Sequence, residues 1–183
     1  RALEIPRAPA RGHFGQTTGL IHPPATMQTT LSNIAIPMSR RALGNLAHFL
    51  AKAEANAAAR KIDPQVFVTA RLAPDMFPLS RQVQIACDAA KNGLARLAAI
   101  EAPKFEDGEK TFADLHERIR KTLAFIDSVD ARLIDGQEDR EITFPAGPER
   151  KLTMTGHAYL TTWMLPNLFF HVTTAYGILR HNG

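Results

Sequence analysis

The fold is decided by residues 160–180, which read LTTWMLPNLFFHVTTAYGILR. Side chains along one seam of this stretch recur at steps of three and four, which predicts an amphipathic helix that begins near Thr155. We expect Pro166 to bend this helix, because a proline removes one backbone hydrogen bond. The seam consists of Leu160, Met164, Asn167, His171, Thr174 and Ile178.

Three further segments carry apolar stripes with the same helical period. The first begins at about Thr30, the second covers about 78–99, and the third opens at Thr111, where Asp114 forms a variant capping box. A short helix is expected to open at Asp63-Pro64, because an N-cap aspartate precedes a proline. Four amphipathic helices with modest connections predict an all-α fold, a four-helix bundle.

The period changes just before the last helix. Residues 141–144 and 151–154 both alternate polar and apolar side chains, and Pro145-Ala146-Gly147-Pro148 separates them. This pattern predicts a short β-hairpin. Since an isolated hairpin is not stable in water, we expect this one to lean on the bundle.

The chain divides into a leader and one domain. Residues 1–26 contain four prolines and three glycines without an apolar period, so we interpret them as a disordered leader. The leader could derive from an upstream extension, with Met27 as the true start, or be a transit peptide. Residues 27–183 form the predicted bundle domain.

Composition argues against two classes of partner. The net charge of the chain is +4, and outside the leader the charges are interspersed without a Lys/Arg block, which disfavours nucleic-acid binding. No apolar run reaches the roughly 20 residues that span a bilayer, so we expect no membrane insertion.

Cys87 is the only cysteine and lies near an apolar helix face, which predicts a buried, inert thiol in a reducing, cytoplasmic setting.

Asn167 and His171 are the candidate site on the last helix. They lie one turn apart on the inward seam, where an amide and an imidazole must find partners. One interpretation is a polar cavity for a small ligand, with His171 as a candidate catalytic base. The other is a satisfied core histidine, paired with Asn167 and a side chain of the second long helix.

Several polar residues of the second long helix could face this pair. Gln82 lies about 75° from the centre of its apolar stripe, whereas Gln84 lies about 125° away, so periodicity favours Gln82 for the interior. Asp88 lies four residues from Gln84 on the same outer or inter-helix face, and for both residues a solvated role is also expected. Asp75 precedes the helix and could form either a cavity rim or a surface ion pair with Arg71.

Further stretches carry a family resemblance. They are residues 70–79 (ARLAPDMFPL), 81–86 (RQVQIA), 135–136 (DG), 138–141 (EDRE), 166–176 (PNLFFHVTTAY) and 178–183 (ILRHNG). With these, the chain from about Met27 to Gly183 resembles the DUF1993 family, a branch of the DinB/YfiT-like four-helix bundles. Family members usually continue past this last glycine, so the resemblance implies a missing C-terminal tail.

The resemblance also implies a metal site that this chain departs from. The wider DinB-like superfamily binds a divalent metal through one histidine of the second long helix and a His-x-x-x-His pair on the last. Aligned on residues 179–180, His171 takes the second position of that pair and Asn167 the first, while Gln82 or Gln84 falls at the remaining position. One imidazole of three remains, and amide oxygens are poor ligands for zinc or nickel.

Three functional hypotheses remain open. The first is a metal-free bundle that binds a small ligand around Asn167 and His171 or is purely structural. The second is an enzyme, a DinB-like transferase or isomerase, in which His171 is a base or the sole imidazole ligand and a thiol such as glutathione, bacillithiol or mycothiol is the cosubstrate. The third, disfavoured by charge, is a nucleic-acid-binding domain. We also expect a homodimer, since small bundles often dimerise.

Overall fold

The computed structural model describes residues 29–147 and 149–183. The predicted leader, residues 1–26, and Met27 lie outside the described residues. The elements run in the order α1 (Leu31–Arg60), α2 (Pro64–Thr69), α3 (Leu79–Ala98), α4 (Phe112–Ser128), β1 (Glu141–Pro145), β2 (Lys151–Thr155), α5 (Gly156–Ala158) and α6 (Leu165–His181).

The helices begin where the sequence predicts them. The Thr30 hydroxyl accepts a hydrogen bond from the Asn33 amide and caps α1, and Asp63 caps α2 ahead of Pro64. Thr111 and Asp114 form both halves of a capping box at α4. These caps satisfy amide groups that have no partner inside the helix.

The four long helices α1, α3, α4 and α6 form the predicted bundle around one apolar core. α3 packs against both α4 and α6, and α1 packs against the same two helices from the other side. Burial of the helical stripes supplies the main stabilising free energy of such a fold. The side chains at the centre of the core include Leu43, Leu46, Leu50, Leu94, Leu97, Leu115, Ile119 and Ile126.

The last helix is interrupted by a wide turn. Residues Tyr159–Met164 are π-helical, and the Leu165 amide donates to the Leu160 carbonyl, five residues back. Pro166 follows at the first turn of α6. The expected bend at Pro166 stays a prediction, while a π segment that widens the turn lies directly before this proline.

The hairpin packs against the bundle, as predicted. β1 and β2 are antiparallel, with Ile142 opposite Met154 and Phe144 opposite Leu152. The buried Phe144 ring lies 4.8 Å from that of Tyr159 and 5.0 Å from that of Trp163. No helix among the described residues is both long and apolar enough to cross a membrane.

Candidate functional site

His171 lies on the face of α6 that packs against α3, where Gln82 meets it. Nδ1 of the imidazole is 2.7 Å from Oε1 of Gln82, and the Gln82 side-chain amide donates to the Phe77 carbonyl at 3.2 Å. Both side chains are buried, His171 at 9% and Gln82 at 2% exposure. The structure therefore pairs the two residues that periodicity had placed inward from different helices.

This pairing fixes the tautomer of the imidazole. A carbonyl oxygen only accepts hydrogen bonds, and the amide nitrogen of Gln82 is already directed to Phe77, so Nδ1 carries the proton and Nε2 keeps its lone pair. Burial, and then the positive charge of Arg81, lowers the pKa of His171 below its ordinary value. The imidazole is consequently neutral at pH 7.

The lone pair at Nε2 remains available. Within the described residues this nitrogen has no hydrogen-bond partner, and it is not among the side-chain atoms that are both sealed from solvent and unpaired. The Phe170 ring stands edge-on to the imidazole at 5.0 Å and is itself 59% exposed. His171 is thus a buried acceptor at the margin of the bundle, beside an exposed aromatic ring.

Asn167 does not join this pair. Its side-chain amide donates to the Trp163 carbonyl at 2.7 Å, one turn back along the chain, and the residue is half-buried. The bond satisfies a carbonyl close to the π segment, a local role that asparagine often takes. The predicted partnership between Asn167 and His171 is therefore absent. Gln82, not Asn167, is the side chain that bonds to His171.

Gln84 and Asp88 belong to a different place in the fold. Gln84 is two positions after Gln82, which turns its side chain by about 200° around the helix axis. Gln84 therefore points away from His171. It is nevertheless buried, because its amide donates to Glu109 at 2.7 Å and the loop after α3 covers it. The expectation of a solvated Gln84 is wrong for this reason: periodicity within one helix cannot show which loop covers it.

Asp88 lies in a charged cluster centred on Arg118 of α4. The buried guanidinium of Arg118 donates to Asp88 at 3.1 Å and to Glu109 at 2.7 Å, while Lys91 contacts Asp88 at 3.2 Å. Lys91 also donates to the Pro103 carbonyl. These bonds join the 99–111 loop to α3 and α4, so the cluster stabilises the fold. Sequence reasoning missed it, because its members are distant along the chain.

Asp75 lies on an exposed loop, apart from both clusters. The predicted ion pair with Arg71 does not form among the described residues; the Arg71 guanidinium instead donates to the carbonyls of Pro74 and Met76. Prolines on both sides of this segment hold it in a compact turn whose carbonyls compete for the guanidinium. The other prediction, that Asp75 forms the rim of a cavity, stays a prediction.

Comparisons with known proteins show which family the chain belongs to. The sequence model of a domain of unknown function, DUF1993, matches residues 31–183. The chain belongs to the DUF1993 family. A crystal structure of a DinB family member protein from Shewanella denitrificans is 41% identical, with a TM-score of 0.77, and the match covers 84% of this chain and 86% of that one. A search of curated proteins gave no match.

This DUF1993 chain does not supply the donor set that the resemblance to the DinB-like superfamily implies. Two of the three implied positions hold Asn167 and His171, and the third holds Gln82 or Gln84. The side-chain amides are directed elsewhere: Asn167 to the Trp163 carbonyl, Gln82 to the Phe77 carbonyl and Gln84 to Glu109. On His171 only Nε2 is available, because Nδ1 is bonded to Gln82. In the described ranges, no three His, Cys, Asp or Glu side chains come together as metal ligands. The residues present do not fit a three-imidazole metal site.

Cys87 is also unsuited to chemistry in this DUF1993 protein. The side chain is fully buried in α3, and burial raises the pKa of the thiol to about 12, although a hydrogen bond from Thr122 opposes the shift. The thiolate is the reactive form of cysteine, so this thiol is unreactive at neutral pH. The predicted burial of Cys87 is confirmed.

Proposed function

We propose that this DUF1993 protein is a small-ligand-binding bundle in which neutral His171 is the hydrogen-bond acceptor that selects the ligand. The observation that carries the proposal is the 2.7 Å bond between Nδ1 and Gln82, which leaves Nε2 as an oriented lone pair. In many functional sites an amide or carbonyl group bonded to one ring nitrogen orients the imidazole in this way. The ligand would present a donor, a hydroxyl or N–H group, to Nε2.

Catalysis by His171 as a general base is the second candidate, since its Nε2 is unprotonated at pH 7. A thiol cosubstrate would have to transfer its S–H proton to Nε2, giving a thiolate and an imidazolium. At ordinary pKa values this transfer is uphill by about two units, or about 2.7 kcal/mol. Burial and Arg81 lower the pKa of His171 further and enlarge this gap. The acceptor role is therefore the better supported.

The proposal predicts how the imidazole responds to metal and to ligand. We expect nitrogen-15 NMR of the full chain to show the Nδ1–H tautomer and mass spectrometry to find less than about 0.1 equivalent of metal, as one imidazole gives weak affinity. A hydroxyl- or amide-bearing compound from a ligand screen should shift the Nε2 resonance. His171→Gln should abolish that binding, while Arg40→Gln should not change it.

The opposite result is equally clear. Near one equivalent of zinc, nickel or iron that is lost in His171→Ala would contradict the proposal and justify a thiol-transfer assay. A homodimer and a cytoplasmic location are further parts of this proposal, and light scattering of the full chain tests the first of them. We do not propose nucleic-acid binding, since the charges outside the leader are interspersed.

A further inference from the structure

A concave surface lies on the side of α6 that faces away from His171. We call it the α1–α6 groove: it has a volume of about 650 Å³ and runs between the two helices from Asn33 to Tyr176. Ala42 and Val172 form its buried floor, and the exposed side chains of Met38, Phe169 and Tyr176 form apolar walls. At 100° per residue, its α6 side chains point about 150° away from His171, so it is a separate site.

The polar side chains that α1 contributes to the α1–α6 groove lie in one row. Asn33, Arg41 and Asn45 fall, together with Pro37, at steps of four along α1, while Thr173 lines the groove from α6. Arg41 is the only charged residue that lines the groove, and the described residues place no carboxylate within 4.0 Å of it. Volume, apolar walls and a few convergent polar groups are the features of a small-molecule site.

The neighbouring surface has the same sign of charge. The Phe49 and Tyr176 rings, 5.2 Å apart, separate the groove from a second hollow of about 380 Å³ that Lys52 and Arg180 line. In the part of the chain that the structure describes, no acidic residue lines either hollow. A row of cations beside an apolar trough is complementary to an anion that carries an apolar body.

Two other occupants fit this charge less well. A symmetric contact with a second copy of the chain would bring two Arg41 side chains onto one interface without a carboxylate. The segment before α1 carries Arg1, Arg7 and Arg11 against Glu4, so it has the same sign of charge as the groove. An external anion meets neither difficulty.

We propose that the α1–α6 groove binds an amphipathic organic anion, with its alkyl or aryl body against Phe169 and Tyr176 and its carboxylate or sulfonate at Arg41. The contact is a charge-assisted hydrogen bond to an exposed guanidinium, with burial of apolar surface as the main source of affinity. This site goes beyond the proposed role of His171 and does not depend on it.

The test uses anilinonaphthalene sulfonate, a fluorescent anion, and its neutral parent N-phenylnaphthylamine, with the folded full chain at low salt. The anion should bind more tightly than the neutral parent, and dodecanoate should displace it better than dodecanol. Arg41→Gln should lower the affinity for the anion about fivefold, the upper range for an exposed ion pair. Added salt should reduce this difference in affinity between the wild type and the variant. Equal affinity for the charged and neutral probes would overturn the proposal.

Matched variants separate the groove from general charge effects. Arg40 directly precedes Arg41 but pairs with Asp127 of α4 and does not line the groove. Arg40→Gln removes the same charge and should leave the affinity for the anion unchanged. Thr173→Glu places a carboxylate on the exposed α6 edge of the groove and should weaken anion binding by up to about fivefold, as expected for an exposed charge, while Thr173→Gln should retain it. Circular dichroism verifies that each variant is folded.

Any of four results would refute the assignment. One is an equal loss of affinity in Arg40→Gln and Arg41→Gln, and another is unchanged binding in Thr173→Glu. The third is a dimer by light scattering that must dissociate before the probe binds, because a second copy would then cover the groove. Loss of binding in His171→Gln but not in Arg41→Gln would likewise place the anion at the other site.

Discussion

Gln82→Leu is the sharpest test of the His171 environment. The substitution keeps the size of a buried side chain but removes the carbonyl that accepts from Nδ1 at 2.7 Å. The Nδ1–H group then stays buried without a partner, since His171 is only 9% exposed. We expect the protein to fold but to be measurably less stable.

The magnitude follows from the two hydrogen bonds of the Gln82 amide. A buried donor that loses its partner costs about 1–3 kcal/mol, and we count only Nδ1 because Phe77 is exposed and its carbonyl can be hydrated. For a chain of this length, 1 kcal/mol corresponds to about 2–4 °C in the melting temperature. Replacing both partners by leucine should restore part of the loss, as no orphaned group remains.

Urea unfolding of the wild type, both single variants and Gln82→Leu/His171→Leu forms a double-mutant cycle. We expect a coupling free energy of about 1 kcal/mol or more between the two positions. Additive effects within about 0.3 kcal/mol, or a Gln82→Leu variant as stable as the wild type, would show that the bond contributes nothing and would remove the basis for the oriented Nε2.

Three further outcomes are expected. The pKa of His171 is lowered in the folded protein, so the neutral imidazole contributes its full stability above about pH 6.5, and this contribution is lost as the pH falls towards the folded pKa. Below about pH 6.5 the free energy of unfolding of the wild type should drop by up to about 1.4 kcal/mol per pH unit more than that of His171→Gln. Parallel plots of unfolding free energy against pH for the two proteins from about pH 7.5 to 5.5 would contradict this. Arg118→Met removes one partner each from Asp88, which keeps Lys91, and from Glu109, which keeps Gln84, and should cost about 1.5–3 kcal/mol by urea unfolding. The exposed Arg120→Met should cost under about 1 kcal/mol, and similar costs would mean that solvent screens the charges of the cluster. Cys87 should react with a disulfide reagent only at the rate of unfolding, and prompt labelling of the native protein would disprove its burial.

The helices could be predicted because their signals are local. The stripe and the capping box at Thr111 need only neighbours within a few turns, and the hairpin needs only a change of period between residues 141 and 154. The family assignment draws on longer matches over the same helices and is confirmed over residues 31–183. Gln82 was also placed inward by its angle on α3, and it meets His171 there.

The sites were less predictable because they depend on contacts between distant segments. Asn167 lies on the expected seam, yet the Trp163 carbonyl one turn away takes its amide, a competition that an ideal helix does not show. Gln84 is covered by a loop 25 residues along the chain through Glu109. The α1–α6 groove arises from two faces that each read as ordinary helix surface until they are packed together.

The π segment Tyr159–Met164 makes the hairpin and His171 independent of each other. A bond five residues back accommodates one residue more than an α-helical turn, so deleting Thr161 would restore α-helical bonding there. Because the wide turn absorbs the extra residue, the elements before and after it would keep nearly the same relative orientation. The imidazole is held separately, by Gln82 of α3. The gain or loss of one residue at this point is therefore absorbed by the helix itself, and it leaves both the packing of the hairpin and the Gln82–His171 pair intact.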